Sequence, residues 1–239
     1  SIAIRLFQLF SQDGLSPNKV TYLVILDACC GSSSSVSLEE GKRIHACIWN
    51  HASSCLNVSI GNALVNMYAK CGSLGKAKEV LSNLPIRDIV SWSALIAGYA
   101  NHDRGEEALE CFEQMQGDGL SPNAIICISL LKACGTTGSI DKGKRIHAEL
   151  ASKGLLENDC VLGNALVDMY ATCGELDKAK EIHHELLVRN VVSWTSLISG
   201  YALHGHGEGA LNCFQEMQSE GISPNEITFR SVLTACSHS

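Results

Sequence analysis

The stretch 191–225, VVSWTSLISGYALHGHGEGALNCFQEMQSEGISPN, decides the fold, because 102 residues earlier the chain spells IVSWSALIAGYANHDRGEEALECFEQMQGDGLSPN at 89–123. Of the 35 positions, 21 are identical. A second pair, GNALVNMYAKCGSLGKAKEVL from Gly61 and GNALVDMYATCGELDKAKEIH from Gly163, keeps the same offset. Within 191–225, Trp194, Leu197, Ile198 and Tyr201 fall at i, i+3, i+4, i+7 and define one helical face. Ala210, Leu211, Phe214 and Met217 define a second helix. Gly205 and Gly207 break the chain between the two, and Gly221 suits a C-terminal cap. No alternation of period two persists anywhere. The expectation is an all-α solenoid of helical hairpins, each burying its apolar face against its neighbours.

The phase of the repeat divides the rest of the chain. Units of 31 residues lie at 58–88 and 160–190, and units of 35 at 89–123 and 191–225. Longer units lie at 19–57 (39 residues) and 124–159 (36 residues), the difference falling on the serine-rich loop 31–37, where insertions are tolerated. Residues 1–18 read as the second half of a further unit, and 226–239 as the start of another. Both ends are expected to be cut from a longer array, so a targeting segment would lie outside these residues.

Composition is compatible with this reading. The chain has 239 residues, 46% of them hydrophobic, with mean hydropathy +0.10, too apolar for a disordered chain. No run of about 18 apolar residues exists, so no membrane partner is expected. The 12 cysteines recur at repeat positions: Cys29, Cys134 and Cys236; Cys71 and Cys173; Cys111 and Cys213. Burial of a small side chain explains that recurrence better than disulfide pairing, and it points to a reducing compartment. A net charge of −7 weighs against tight non-specific nucleic-acid binding. Lys42, Arg43, Lys144 and Arg145, like Lys76, Lys78, Lys178 and Lys180, nevertheless form stripes. Such a stripe can serve phosphates despite a negative total, or be an ordinary solvated face.

The phrases VSWTSLISGYA, GNALVDMYA, EALECFEQMQ and GISPN together resemble the pentatricopeptide repeat family over essentially the whole chain. The alternation of unit lengths resembles its PLS subclass, found in plant organelles. On that resemblance 19–57 and 124–159 are L-type units, 58–88 and 160–190 S-type, and 89–123 and 191–225 P-type. Residues 1–18 are then a partial unit and 226–239 a partial L-type unit. The fold implied is a right-handed superhelical solenoid of helix-turn-helix repeats. The function implied is sequence-specific binding of single-stranded RNA, one base per unit, with each base met by a few side chains.

In that family the fifth and last residues of a unit face one base edge, and the second packs against base faces. The pairs here are Asn62 with Asp88, Ser93 with Asn123, Asn164 with Asn190, and Thr195 with Asn225. A carboxylate only accepts, so Asp88 suits the N–H of uracil. The resemblance implies U, then A, then a pyrimidine, then A for these four. The L-type pairs, Leu23 with Asn57 and Ile128 with Asp159, have an apolar fifth residue and no base-specific hydrogen bond is expected there. The composite expectation for 58–225 is 5′-UANYA-3′. Base-packing residues would be Val20, Val90, Ile125, Val161 and Val192, with Ser59 the exception. The resemblance further implies an organellar transcript, in mitochondrion or chloroplast, positioned for C-to-U editing or other processing. Editing accessory factors and a DYW-type deaminase, in cis or in trans, would be partners.

Alternative readings attach to these residues. Asn62 and Asn164 lie just after a glycine and could be helix N-caps. Asn123 and Asn225 follow prolines, where asparagine is common. Trp92 and Trp194 read as core rather than base-stacking residues. The mean period of 34 also fits a tetratricopeptide-like, peptide-binding scaffold. No enzyme is expected within these residues. His147-Ala148-Glu149 and His206-Gly207-Glu208 fit half of a zinc deaminase signature, but no C-x-x-C accompanies them. Neither a metal nor another cofactor is expected.

Overall fold

The structure, a computed structural model, describes residues 17–30, 35–51, 58–156 and 159–237. Residues 1–16 of the partial first unit, loop residues 31–34 and Asn57 lie outside them. Among the described residues are thirteen helices and no strand. They are α1 Lys19–Cys30, α2 Ser35–His51, α3 Val58–Lys70, α4 Leu74–Ser82, α5 Ile89–Asn101, α6 Gly105–Gly117 and α7 Ala124–Thr137. After these come α8 Ile140–Ser152, α9 Cys160–Thr172, α10 Leu176–Glu185, α11 Val191–Leu203, α12 Gly207–Ser219 and α13 Glu226–Ser237. The helices fall into two blocks, Ser1–Asn123 and Ala124–Ser239.

Each block repeats one packing scheme. The first helices of consecutive units lie side by side: α1, α3 and α5 in one block, α7, α9, α11 and α13 in the other. Each second helix packs on its own first helix, and α2, α4, α8, α10 and α12 also touch the first helix that follows. A first helix is therefore enclosed on most sides, which is why IVSWSALIAGYAN is apolar nearly all round. Trp92, Leu95, Ile96 and Tyr99 are buried from it, as are Trp194, Leu197 and Ile198 from α11. Both tryptophans are core, with about 1% of their surface exposed. Each is anchored by its indole N–H, to Asp118 at 3.1 Å and to Glu220 at 3.2 Å. Arg87 and Arg189 bind the same two carboxylates at 2.9 Å, tying the end of each 31-residue unit to the end of the second helix of the 35-residue unit that follows.

The difference between 31 and 35 residues lies in the second helix. It runs 9 residues in α4 and 10 in α10, against 13 in α6 and α12. The repeated cysteines are free, and Cys29, Cys134, Cys111 and Cys213 are buried as expected. Cys236 is exposed, at the end of the last helix. Gly221, expected as a cap, adopts φ 74° after α12. The turn after α11 uses Gly205 at φ 74°, whereas its counterpart Asp103 takes the same left-handed conformation at φ 56° without that freedom.

Glycine also sets the spacing of the first helices. A Cβ on Gly200 would stand 2.5 Å from the Cβ of Ala171 and 3.0 Å from its carbonyl oxygen. On Gly98 it would stand 2.7 Å from the Cβ of Ala69. Neither neighbour can swing away. Gly200→Ala should force α9 and α11 apart and destabilise the second block by about 1–3 kcal/mol, the usual cost of overpacking. Urea unfolding of the variant measures this, and an unchanged midpoint would refute the tight approach.

Candidate nucleic-acid interface

Two contacts fix how neighbouring first helices run. Asn62, in the first turns of α3, touches Asp88 at the start of α5, while Ala69 near the end of α3 meets Gly98 near the end of α5. The two helices are therefore parallel, and their N-terminal turns share one side. The same holds for α9 and α11 through Asn164 with Asn190 and Ala171 with Gly200.

The last residues of three units, Asp88, Asp159 and Asn190, are the N-caps of the first helices that follow. Asp88 accepts from the amides of Val90 at 3.1 Å and Ser91 at 2.9 Å, and its own amide donates to the Ser91 hydroxyl at 3.1 Å. Asn190 repeats this capping box with Val192 and Ser193. Asp159, last in the unit 124–159, accepts from the amides of Val161 and Leu162. Asn62 and Asn164, by contrast, are not caps. Their helices begin four residues earlier, at Val58 and Cys160, so the capping alternative for them is overturned.

The fifth residue reaches the cap. The Asn62 amide nitrogen donates to both Asp88 oxygens, at 3.0 and 2.9 Å. Burial pushes the Asp88 carboxyl up, but hydrogen bonds from Ser91, Asn62 and Val90 outweigh it and hold it below the ordinary carboxylate value. Asn164 makes a longer contact, 3.4 Å to the Asn190 Oδ1. Thr195 and Asn225 are joined through Thr228: Thr195 Oγ1 lies 2.7 Å from Thr228 Oγ1, which donates to Asn225 Oδ1 at 2.9 Å. Ser93 and Asn123 are both half-buried. In the two longer units, 19–57 and 124–159, the fifth residues Leu23 and Ile128 are half-buried apolar side chains.

Three buried polar atoms at the fifth positions lack a hydrogen-bond partner: Asn62 Oδ1, Ser93 Oγ and Asn164 Oδ1. Buried polar atoms are rarely left so. Beside them stand apolar side chains that the fold leaves out. Val20, Val90, Ile125, Val161 and Val192, all second residues, are 53–65% exposed. Ile227 joins them at 50%; sequence reading omitted it, although it stands 102 residues after Ile125. Second and fifth residues are one helical turn apart and share a face. The units 89–123, 160–190 and 191–225 thus offer an exposed β-branched side chain beside polar fifth and last residues, and 58–88 offers Ser59 there instead. Sequence reading also missed the third residue of the following unit, Ser91, Ser193 or Thr228, which holds the cap.

The basic stripes lie elsewhere, on the second helices, and most of their cations are paired. Lys42 binds Glu39, Arg43 Glu40, Lys76 Glu79, Lys178 Glu181, Lys144 Glu175 and Lys180 Glu216, over 2.6–3.6 Å. Exposed pairs of this kind contribute little to stability and favour the solvated-face reading of the stripes. His45 and His147 each place Nδ1 3.0 Å from a tyrosine hydroxyl, Tyr68 or Tyr170, in keeping with a packing role. Among the described residues no cluster of His, Cys, Asp and Glu could hold a metal, and no helix is long and apolar enough to cross a membrane.

Comparison with known proteins places this arrangement. The model described as "PPR repeat family" matches residues 87–136 and 189–238, and that described as "PPR repeat" matches 62–88 and 164–191. The pentatricopeptide repeat-containing protein CRR2, chloroplastic, of Arabidopsis thaliana is 40% identical over 240 residues, covering 98% of this chain and 36% of CRR2. Another pentatricopeptide repeat-containing protein of that plant, labelled mitochondrial, is 37% identical over 242 residues, covering 100% of this chain and 37% of its own length. The chain thus spans little more than a third of these relatives. The crystal structure of PPR10 from maize aligns with a TM-score of 0.73 at 20% identity, over 98% of this chain and 34% of PPR10. PPR10 in complex with an 18-nt psaJ RNA element aligns at 0.51 and 18% identity, over 99% of this chain and 45% of that one.

Proposed function

The chain belongs to the pentatricopeptide repeat family, and from that membership we propose that it binds single-stranded RNA one base per unit, each polar pair reading a base edge. One observation carries this reading: in three of the four S- and P-type units an exposed second residue stands beside a fifth residue joined to the last, directly for Asn62 and Asn164 and through Thr228 for Thr195. In the fourth the buried Ser93 hydroxyl has no partner. No catalytic role is assigned to these residues.

The cap supplies the chemistry of discrimination. Backbone amides only donate, so an asparagine that caps a helix must turn Oδ1 toward them. Its Nδ2 is left for the ligand, and a donor suits the ring nitrogen of adenine or cytosine. A capping aspartate keeps an acceptor to spare and suits the ring N–H of uracil. Asp88 therefore favours U, and Asn190 and Asn225 favour C and A among the bases their fifth residues admit. With Ser93 and Asn123 reading A, and the L-type unit at 124–159 indifferent, the preferred sequence is 5′-UANYA-3′. The second residues, Val20, Val90, Ile125, Val161 and Val192, pack on base faces.

The PLS pattern of unit lengths and the organellar names of relatives support a transcript in mitochondrion or chloroplast. Positioning it for C-to-U editing or other processing is the role proposed. Accessory editing factors and a DYW-type deaminase would then supply the chemistry. A tetratricopeptide-like peptide clamp is disfavoured, because the second, fifth and last positions of the six complete units, 19–225, hold no lysine or arginine.

Binding of short single-stranded RNAs tests the reading. A UANYA site should bind at least tenfold more tightly than a fully base-swapped control, since a good bidentate contact discriminates by about 1–3 kcal/mol. Equal affinity for the two would sink the assignment. Val192→Ser removes exposed apolar surface worth about 1 kcal/mol when covered. It should weaken binding roughly fivefold and leave the melting temperature unchanged; unaltered affinity would remove Val192 from the interface.

A further inference from the structure

We propose that Thr228, outside the fifth and last positions, is a positioning residue that makes the Thr195–Asn225 pair selective for adenine over guanine. The inference rests on the base-reading function proposed above.

Counting protons fixes the polarity of the pair. Asn225 Oδ1 can only accept, and it receives the Thr228 amide at 2.8 Å and the Thr228 hydroxyl at 2.9 Å. The second bond uses the single proton of that hydroxyl. In the 2.7 Å contact between the two threonines, Thr195 must then be the donor. The lone pairs of Thr228 Oγ1 are filled by the Thr195 hydroxyl and by the Asn225 amide at 3.2 Å. Thr228 is completely buried and Thr195 nearly so, at 8% exposure, so water does not compete for this chain of bonds.

The outcome is a pair with fixed poles. Thr195 has spent its proton inward and offers only lone pairs. Asn225 has spent its oxygen and offers only Nδ2 hydrogens. An acceptor beside a donor complements adenine, whose amino group donates next to a ring nitrogen that accepts. Guanine presents the reverse, a carbonyl next to a ring N–H, and meets two mismatches. Without the Thr228 hydroxyl, Thr195 is free to rotate and donate to the guanine carbonyl, which repairs one of them. The other P-type unit has no such relay. The residue at the position equivalent to Thr228 is Ile126, and the Ser93 hydroxyl is buried without a partner.

The test measures binding of the 239-residue chain to UANYA RNAs whose last base is A or G. A second pair, with U or C at the first base, reports on the distant Asn62–Asp88 unit and on intact folding. The parent should prefer A over G roughly tenfold, the scale of one good base contact. Thr228→Val and Thr228→Ala both remove the hydroxyl while differing in volume. Each should reduce the preference to about twofold and keep the first-base ratio, whereas Thr228→Ser should keep both. An A-to-G ratio in the valine or alanine variant as large as the parent's overturns the relay and leaves base reading intact. A loss in the serine variant as large as in the valine variant also overturns it, since volume rather than the hydroxyl would then matter. No preference in the parent would overturn the base reading itself, and the relay with it.

Discussion

An Asp88→Asn protein is expected to fold as stably as the parent and to exchange its preference for uracil for one for cytosine. Aspartate and asparagine are nearly equivalent N-caps, and either can accept from Val90 and Ser91. The helix Ile89–Asn101 therefore keeps its cap. What changes is the atom left over: a carboxylate oxygen in the parent, an amide nitrogen in the variant. Asn62 with an asparagine partner is already built in the second copy, where Asn164 meets Asn190 and Asn190 caps through Oδ1. The swap converts one matched contact to a mismatch for uracil and the reverse for cytosine. At about 1–3 kcal/mol for each of the two changes, the U-to-C ratio should swing by roughly 30-fold or more. Competition between UANYA and CANYA RNAs measures the swing, and a thermal melt checks the fold. A U-to-C ratio unmoved by the substitution would mean that Asp88 is a cap and nothing more. Because its carboxyl is held below the ordinary value, the parent's preference should persist through mildly acidic buffers and fade only as pH falls through that lowered pKa.

The sequence made the repeat legible, and with it the helices, because apolar residues at helical spacing recur at a fixed offset. Trp92 and Trp194 were legible as core for the same reason. The cap was not. Nothing local marks Asp88 and Asn190 as N-caps rather than Asn62 and Asn164, since each is a polar residue near a helix start. Only the true first residues, Val58, Ile89, Cys160 and Val191, settle the matter, and helix ends are poorly determined by pattern. The lysine stripes were legible as a period but not as ion pairs, because the partner of Lys144 is Glu175 in the next unit. Thr228 escaped for a related reason. Its role depends on a hydroxyl 33 residues away, at Thr195.

His183 supports the other large prediction: replacing it with leucine should stabilise the chain and remove part of its sensitivity to acid. It stands at the position of Leu81 in the first copy, is completely buried, and neither ring nitrogen has a hydrogen-bond partner. Its ring centroid lies 4.2 Å from that of Trp194 on α11 and 6.0 Å from that of His184. Burial pushes its pKa down to about 4 from 6.5. His184 and Lys180 on its own helix and Arg189 in the following loop push the same way, and Glu220 beyond α12 opposes them. The neutral ring is thus the folded form. Stability is complete above about pH 6.5 and falls as pH drops toward 4, because the unfolded chain takes up the proton first. Each pKa unit corresponds to about 1.4 kcal/mol, so the full loss is about 3 kcal/mol. At neutral pH, leucine also removes two unsatisfied buried nitrogens, worth about 1–3 kcal/mol. Urea unfolding of parent and His183→Leu at pH 7 and pH 4.5 separates the contributions, since other titrating groups are common to both proteins. The stability gap should be present at pH 7 and wider at pH 4.5. A variant less stable at pH 7, with the gap the same at both values, would mean that the buried imidazole is satisfied after all.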